Sequence, residues 1–216
     1  LMYCRSGLAR AGATRLDYYQ PVGYVTIAGT AVQSRIDRGS VSIEQTLGAQ
    51  PDTAGLEAIA RLPSTFLPTK GQEIVIGLGA KDNRLFAGHV LKVSVSLPRA
   101  ATARPRMALD CVDYTWELGH KRVRGRRWIN TSASVVASDL VREWAPGFST
   151  RVQFGLSAVA FEVTHSEPLP DALSRLASMV GAKWYVDYTR RVHFFVTDFA
   201  TGNALAIANN QTDIWN

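Results

Sequence analysis

Five cations fall within seven residues at Lys121-Arg122-Val123-Arg124-Gly125-Arg126-Arg127, with Trp116 and Trp128 on either side. Residues of these types could bind phosphate, because clustered Lys and Arg supply most of a protein's affinity for nucleic acid. The flanking indoles could stack on bases. The same run also holds Val123 and the turn residue Gly125. That pattern equally describes a strand edge with solvated charges, where basic side chains discourage unwanted pairing. Lys121, Arg122, Arg124, Arg126 and Arg127 are therefore the candidate interface residues, for a salt-bridged neighbour or for an anionic polymer.

Other reactive side chains form weaker patterns. His89, His120, His165 and His193 include no pair at the i, i+4 spacing of a helical metal site. His165, Glu167 and Asp171 stand close in sequence, but at a helix start, where the dipole favours acids without any catalytic role. Asp110 and Asp113 could in principle serve glycoside hydrolysis, which needs two spaced acids. Asp113, however, begins a turn, where Asp usually bonds its own backbone. No GxxxxGK[ST] loop and no nucleophile-elbow pattern occurs, and Gly77, Gly79 and Gly88 read as turn glycines. Cys4 falls in a tail and Cys111 in a strand, so no disulfide is expected. The sequence calls for no catalytic residue, no cofactor and no metal.

The elements that would position these residues begin with composition. The chain has 216 residues, 46% hydrophobic and 19% charged, and a net charge of +6. That is a folded protein able to bury a core, with a basic balance that permits an acidic partner. No stretch approaches 18 consecutive apolar residues, and the N-terminus lacks an apolar leader. Residues 1–18 read as an extended arm able to reach a neighbour.

From Gly23 onward short alternating strands follow one another: Val25 and Ile27, then Val41-Ser42-Ile43-Glu44-Gln45-Thr46-Leu47, then Gly55 to Ala60. Gly71–Leu78 and Leu85–Val95 alternate around the polar turn Ala80-Lys81-Asp82-Asn83, as an antiparallel hairpin does. Pro98 to Pro105 reads as an exposed tip, and Met107–Val112 as a further strand. Ser132 or Ser134 opens a helix with an apolar face of Val136, Leu140, Val141 and Trp144, stopped by Pro146-Gly147. Val152, Phe154, Ala160 and Val163 read as strand. A second helix starts near Pro168, carries Leu169, Leu173, Leu176 and Val180 at helical spacing, and ends at Gly181. Trp184-Tyr185 and Phe194-Phe195 lie on the two arms of a final hairpin.

In order, the segments GSVSIEQTL, PTKGQEIVIGL, RLFAGHVLKVSV, RMALDCVDYTWEL, SASVVASDLVREW, PLPDALSRLASMVGAKW and YVDYTRRVHFFV resemble the baseplate hub or tail tip proteins of tailed phages, late control protein D-like proteins among them. The resemblance covers roughly Val22 to Val196 and lies in the conjunction of segments rather than in any one. It implies a mainly β fold: a tail-tube-like split β-barrel plus a small two-helix α/β unit. It also implies an arm at 1–21, a barrel domain at 22–115, an α+β insert at 116–200, and at 201–216 the start of a return into a further barrel. The implied function is structural, a homotrimeric ring at the virion tail tip, assembled in the host cytoplasm. Its implied partners are the tail tube, distal tail and tip or spike proteins, with DNA passing through the lumen unbound. A basic nucleic-acid-binding β-barrel protein is the alternative, and a tip-associated cell-wall hydrolase a further one.

Overall fold

A computed structural model describes residues 23–46, 50–59, 67–79, 83–96 and 105–196. The expected arm at 1–21, Cys4, most of the tip at 98–105 and the expected return at 201–216 lie outside the described residues.

The chain forms β1 (Gly23–Ile27), β2 (Thr30–Ala31), β3 (Ile36–Glu44), β4 (Thr53–Ile59), β5 (Glu73–Leu78), β6 (Arg84–Ser96) and β7 (Arg106–Asp113). These seven make one antiparallel sheet in the order β2-β1-β5-β6-β7-β4-β3. Its curl follows from connectivity. A flat seven-stranded sheet is about 29 Å wide at about 4.8 Å per step. Yet β2 and β3, on opposite edges, are joined by five backbone steps, which reach about 19 Å at most. The sheet therefore rolls into a half-barrel around Val25, Ile27, Leu56, Ile74, Ile76, Phe86, Leu109 and Cys111, all buried. Burial pushes the Cys111 thiol up to about 12, leaving it an inert apolar side chain.

Two of the three glycines read as turn residues have another role. Gly79 is a turn glycine at φ +69°. Gly88, by contrast, lies within β6, where a Cβ would stand 1.9 Å from the Val112 carbonyl oxygen and 2.6 Å from Asp113 Cα. Gly77 lies in β5 under the Tyr24 ring, 2.4 Å from where a Cβ would be. Both are required by close approach.

After β7 come α1 (Tyr114–Gly119), β8 (Arg122–Val123), β9 (Arg126–Ser132), α2 (Ala133–Trp144), β10 (Ser149–Val152), β11 (Ala158–Val163), β12 (Glu167–Pro168), α3 (Leu169–Val180), β13 (Ala182–Val186) and β14 (Arg191–Val196). Ser132 is the N-cap of α2, its side chain accepting from Ser134 N, and Gly181 closes α3 in the left-handed region at φ +65°. The short helix α1 was not expected. Asp113 caps it, accepting from Thr115 N at 3.0 Å, so the chain turns into a helix directly after β7. Phe154, expected in a strand, sits in a turn and is 97% exposed.

These elements build a second core from Val136, Leu140, Leu169, Leu173, Leu176, Trp184 and Phe194. Its sheets are β10-β14-β13 and the pairs β11-β9 and β12-β8. Trp184 pairs with Phe194 across β13 and β14, and both rings turn inward. Tyr185 stacks on His193 on the opposite face, with ring centroids 4.5 Å apart. Together these elements make a β-rich fold with a small helical part. Among the described residues no helix is long and apolar enough to cross a membrane.

Candidate assembly surface and the seam between two cores

The basic run divides in two. Arg122 and Val123 form β8, with Val123 buried and Arg122 exposed, and Gly125 turns the chain at φ +45°. Arg126 and Arg127 open β9, facing Glu143 at 3.9 Å and Glu162 at 3.8 Å respectively, and Arg126 also lies over the Trp128 ring. All four side chains of those two ion pairs are 45% exposed or more, so each pair is worth well under about 1 kcal/mol. Lys121, Arg122 and Arg124 make no ion pair with the described residues. The Lys121 carbonyl instead accepts from Leu169 N at 2.9 Å, which ties the run to the start of α3. The five cations thus share one short stretch of surface with weak internal compensation. Trp128 is buried, donating to Asp139 at 3.2 Å, so it offers no free face to a base.

The histidines and carboxylates are spread through the fold. Glu167 pairs with Arg175 at 2.5 Å, while His165 bonds Thr164. His120 bonds the Trp116 carbonyl and His193 bonds Asp187. Asp110 is exposed whereas Asp113 is 3% exposed, so the two do not flank a common site. Among the described residues no three metal-ligating side chains gather.

Sequence reasoning missed the seam where the two cores meet. Tyr188, in the β13–β14 turn, packs against both cores, with its ring 5.8 Å from Phe86. Its hydroxyl donates to Asp52 at 2.7 Å and accepts from Gln45 at 2.8 Å, and its carbonyl accepts from Arg84. Burial, with the Asp52 carboxylate beside it, holds the phenol well above its ordinary value. Arg190 lies over the Tyr114 ring at 4.6 Å and faces Glu117 at 3.4 Å and Glu73 at 3.6 Å. Tyr114 donates to Glu73 at 2.5 Å, and His89 bridges Glu117 at 3.0 Å and the Gly71 carbonyl at 3.2 Å. No local pattern announces a network whose members are so far apart in sequence. In the structure Arg190 itself stands at a positive φ of +61°, unusual for a non-glycine.

Asp113 gives the seam a pH dependence. Burial raises its carboxyl from 3.8 to about 6, with bonds from Thr115 opposing. The stabilisation belongs to the protonated form, complete below the ordinary carboxyl range and lost as pH rises through about 6. The shift is equivalent to roughly 3 kcal/mol at neutral pH. Asp113→Asn keeps a capping oxygen and carries no charge. The variant should be more stable than wild type at pH 7.5 by that order and nearly equal to it at pH 4. Thermal unfolding of both across this range checks it, and parallel curves would remove Asp113 from the account.

No protein-family model matches the sequence, and no curated protein is similar to it in sequence. Solved structures do match. The 43 kDa tail protein of prophage MuSo2 from Shewanella oneidensis superposes with a TM-score of 0.65 at 16% identity, over 82% of this chain and 54% of that one. A tail protein from Neisseria meningitidis MC58 gives 0.67 at 12% identity, over 85% and 52%. The prophage tail protein gp18 from Listeria monocytogenes EGD-e gives 0.59 at 12% identity, over 80% and 49%. The chain spans about half the length of these proteins. The fold it shares with them is that of phage tail proteins, as the sequence resemblance implies.

Proposed function

We infer that the chain is a structural component of a phage tail tip or baseplate hub. It would form a homotrimeric ring that joins the tail tube to the tip or spike and lines the DNA exit channel, without catalytic turnover. The carrying observation is that three tail proteins, two of them from prophages, share the fold over 80% or more of this chain, across both cores. The residue-level features agree with that reading: a curled sheet whose edge strands β2 and β3 each pair on one side among the described residues suits pairing between ring neighbours, and the seam suits a fixed angle between the two cores. In this reading 22–115 is the tube-like barrel domain and 116–200 the insert, with the tail tube, distal tail and tip proteins as partners in the virion.

The basic run serves as a contact to a neighbouring subunit on the outside of the ring, since a lumen that passes DNA must not grip it. Charge reversal at Arg124, Arg126 and Arg127 should leave the fold intact, because those residues are exposed, and should lower the yield of assembled tails at least tenfold. Counting tails in lysates by electron microscopy checks this. Normal tails with blocked DNA passage would contradict the outer placement. Immunogold labelling of intact particles tests the location itself: label at the tail tip supports the hub reading, and label along the tube or on the capsid defeats it.

A further inference from the structure

The hydrogen bonds of His89 need more protons than a neutral imidazole carries. Its Nε2 lies 3.0 Å from the Glu117 carboxylate and its Nδ1 3.2 Å from the Gly71 carbonyl. Both partners are acceptors, so both nitrogens must donate, and only the imidazolium has two N–H groups. A neutral ring gives up one contact whichever tautomer it takes. The side chain is 14% exposed, so water is a poor substitute for the lost partner.

The surrounding charges balance only when that ring is protonated. α1 presents Glu117, with the Tyr114 and Trp116 rings 5.6 and 6.5 Å from the imidazole and His120 against Trp116 in turn. β5 presents Glu73, the register partner of His89, and the β13–β14 turn presents Arg190, which faces both acids. β7 presents Asp113, paired with Gly88 and capping α1. The turn before β5 offers the Gly71 carbonyl, with Lys70 exposed beside it in sequence. In the ion-paired set, Glu73 and Glu117 stand against Arg190 and His89: two acids to two cations with the ring protonated, two to one without. His89 and Glu73 belong to the sheet of the first core, whereas Glu117 and Arg190 are carried by elements of the second.

We propose that the seam is a proton-gated joint: with both ring protons His89 fastens α1 to the sheet, and loss of one loosens the second core from the first. The contacts belong to the protonated ring, so their contribution is complete at the acid end of histidine's range and falls as pH rises. The joint lies within one subunit and operates in any assembly. Asp113 acts in the same direction, since burial favours its neutral form. An Asp113→Asn background therefore isolates the histidine.

Hydrogen exchange of the full chain in that background, with and without His89→Gln, tests the joint. The readout is the ratio of exchange rates at matched pH, variant over background, on peptides covering 114–119 and 187–191, because intrinsic exchange cancels in the ratio. The ratio should be at least about tenfold at about pH 5.5 and fall to about threefold or less at about pH 8.5. His165→Gln, at an exposed ring bonded only to Thr164, should leave exchange unchanged at both. A ratio that does not vary with pH overturns the proposal, and so does an equal effect from His165→Gln. Should His89→Gln fail to fold, the wild-type ring decides. At about pH 5.5 both N–H protons of His89 should appear in 1H–15N spectra with slowed solvent exchange, and a slowed proton on one nitrogen only overturns the joint.

Discussion

Gly88→Ala should abolish accumulation of folded protein. The new methyl would stand 1.9 Å from the Val112 carbonyl oxygen and 2.6 Å from Asp113 Cα, both backbone atoms of the adjacent strand. Gly88 faces Ile74 on one side and Asp113 on the other, so β6 is held by both neighbours and has no direction in which to yield. Overpacking of this kind against the backbone costs more than about 4 kcal/mol, a large share of a stability of about 5–15 kcal/mol. The displaced residues include Asp113, which caps α1 and opens the second core, so damage in the sheet spreads to the seam. Gly39→Ala is the matched control. Its Cβ would meet only the Asp37 carboxylate at 3.5 Å, an ordinary contact, and it should change stability by less than about 0.5 kcal/mol. Soluble yield and thermal unfolding of the two variants check the contrast, and a soluble, cooperatively melting Gly88→Ala protein would contradict it.

Tyr188→Ala should uncouple the two cores. The side chain touches both hydrophobic clusters, and its hydroxyl satisfies Asp52 while accepting from Gln45. Truncation removes a shared aromatic packing element, at a cost of about 3 kcal/mol, and leaves the Asp52 carboxylate short of a donor. Tyr188→Phe retains the ring and forfeits only the hydroxyl bonds, an effect of about 1–2 kcal/mol. The distinguishing sign is cooperativity. Wild type should unfold in one transition, and Tyr188→Ala in two, the second core first. Calorimetry reads this directly, and a single lowered transition in Tyr188→Ala would show that the cores are coupled elsewhere. A double-mutant cycle with Asp52→Asn isolates the hydroxyl bond, because Tyr188→Phe should then add little further loss.

Both effects depend on features of different visibility in the sequence. The helix at Leu169–Val180 is legible because Leu169, Leu173 and Leu176 recur at helical spacing between Pro168 and Gly181, so local pattern and tertiary burial agree. The hairpin of β5 and β6 is legible for the same reason, through alternation about a polar turn. At Tyr114–Gly119 no helical repeat is long enough to be read from the sequence, and the helix forms where the Asp113 carboxylate caps it. Gly88 has the composition of a turn residue, and its real constraint is a neighbouring strand that only the register reveals. The seam is the least legible part, since Tyr188 and Asp52 stand 136 residues apart. The basic run was visible as charge. Its division into an ion-paired half at Arg126 and Arg127 and an uncompensated half at Lys121, Arg122 and Arg124 required Glu143 and Glu162 to be placed beside it.

The most direct test of the central claim is electron microscopy of the purified chain, alone and mixed with its tail tube protein. The hub reading predicts rings of three-fold symmetry with an open centre. Single particles of one subunit under both conditions, accompanied by salt-dependent binding to DNA, would contradict it and favour a nucleic-acid-binding protein built on the same fold.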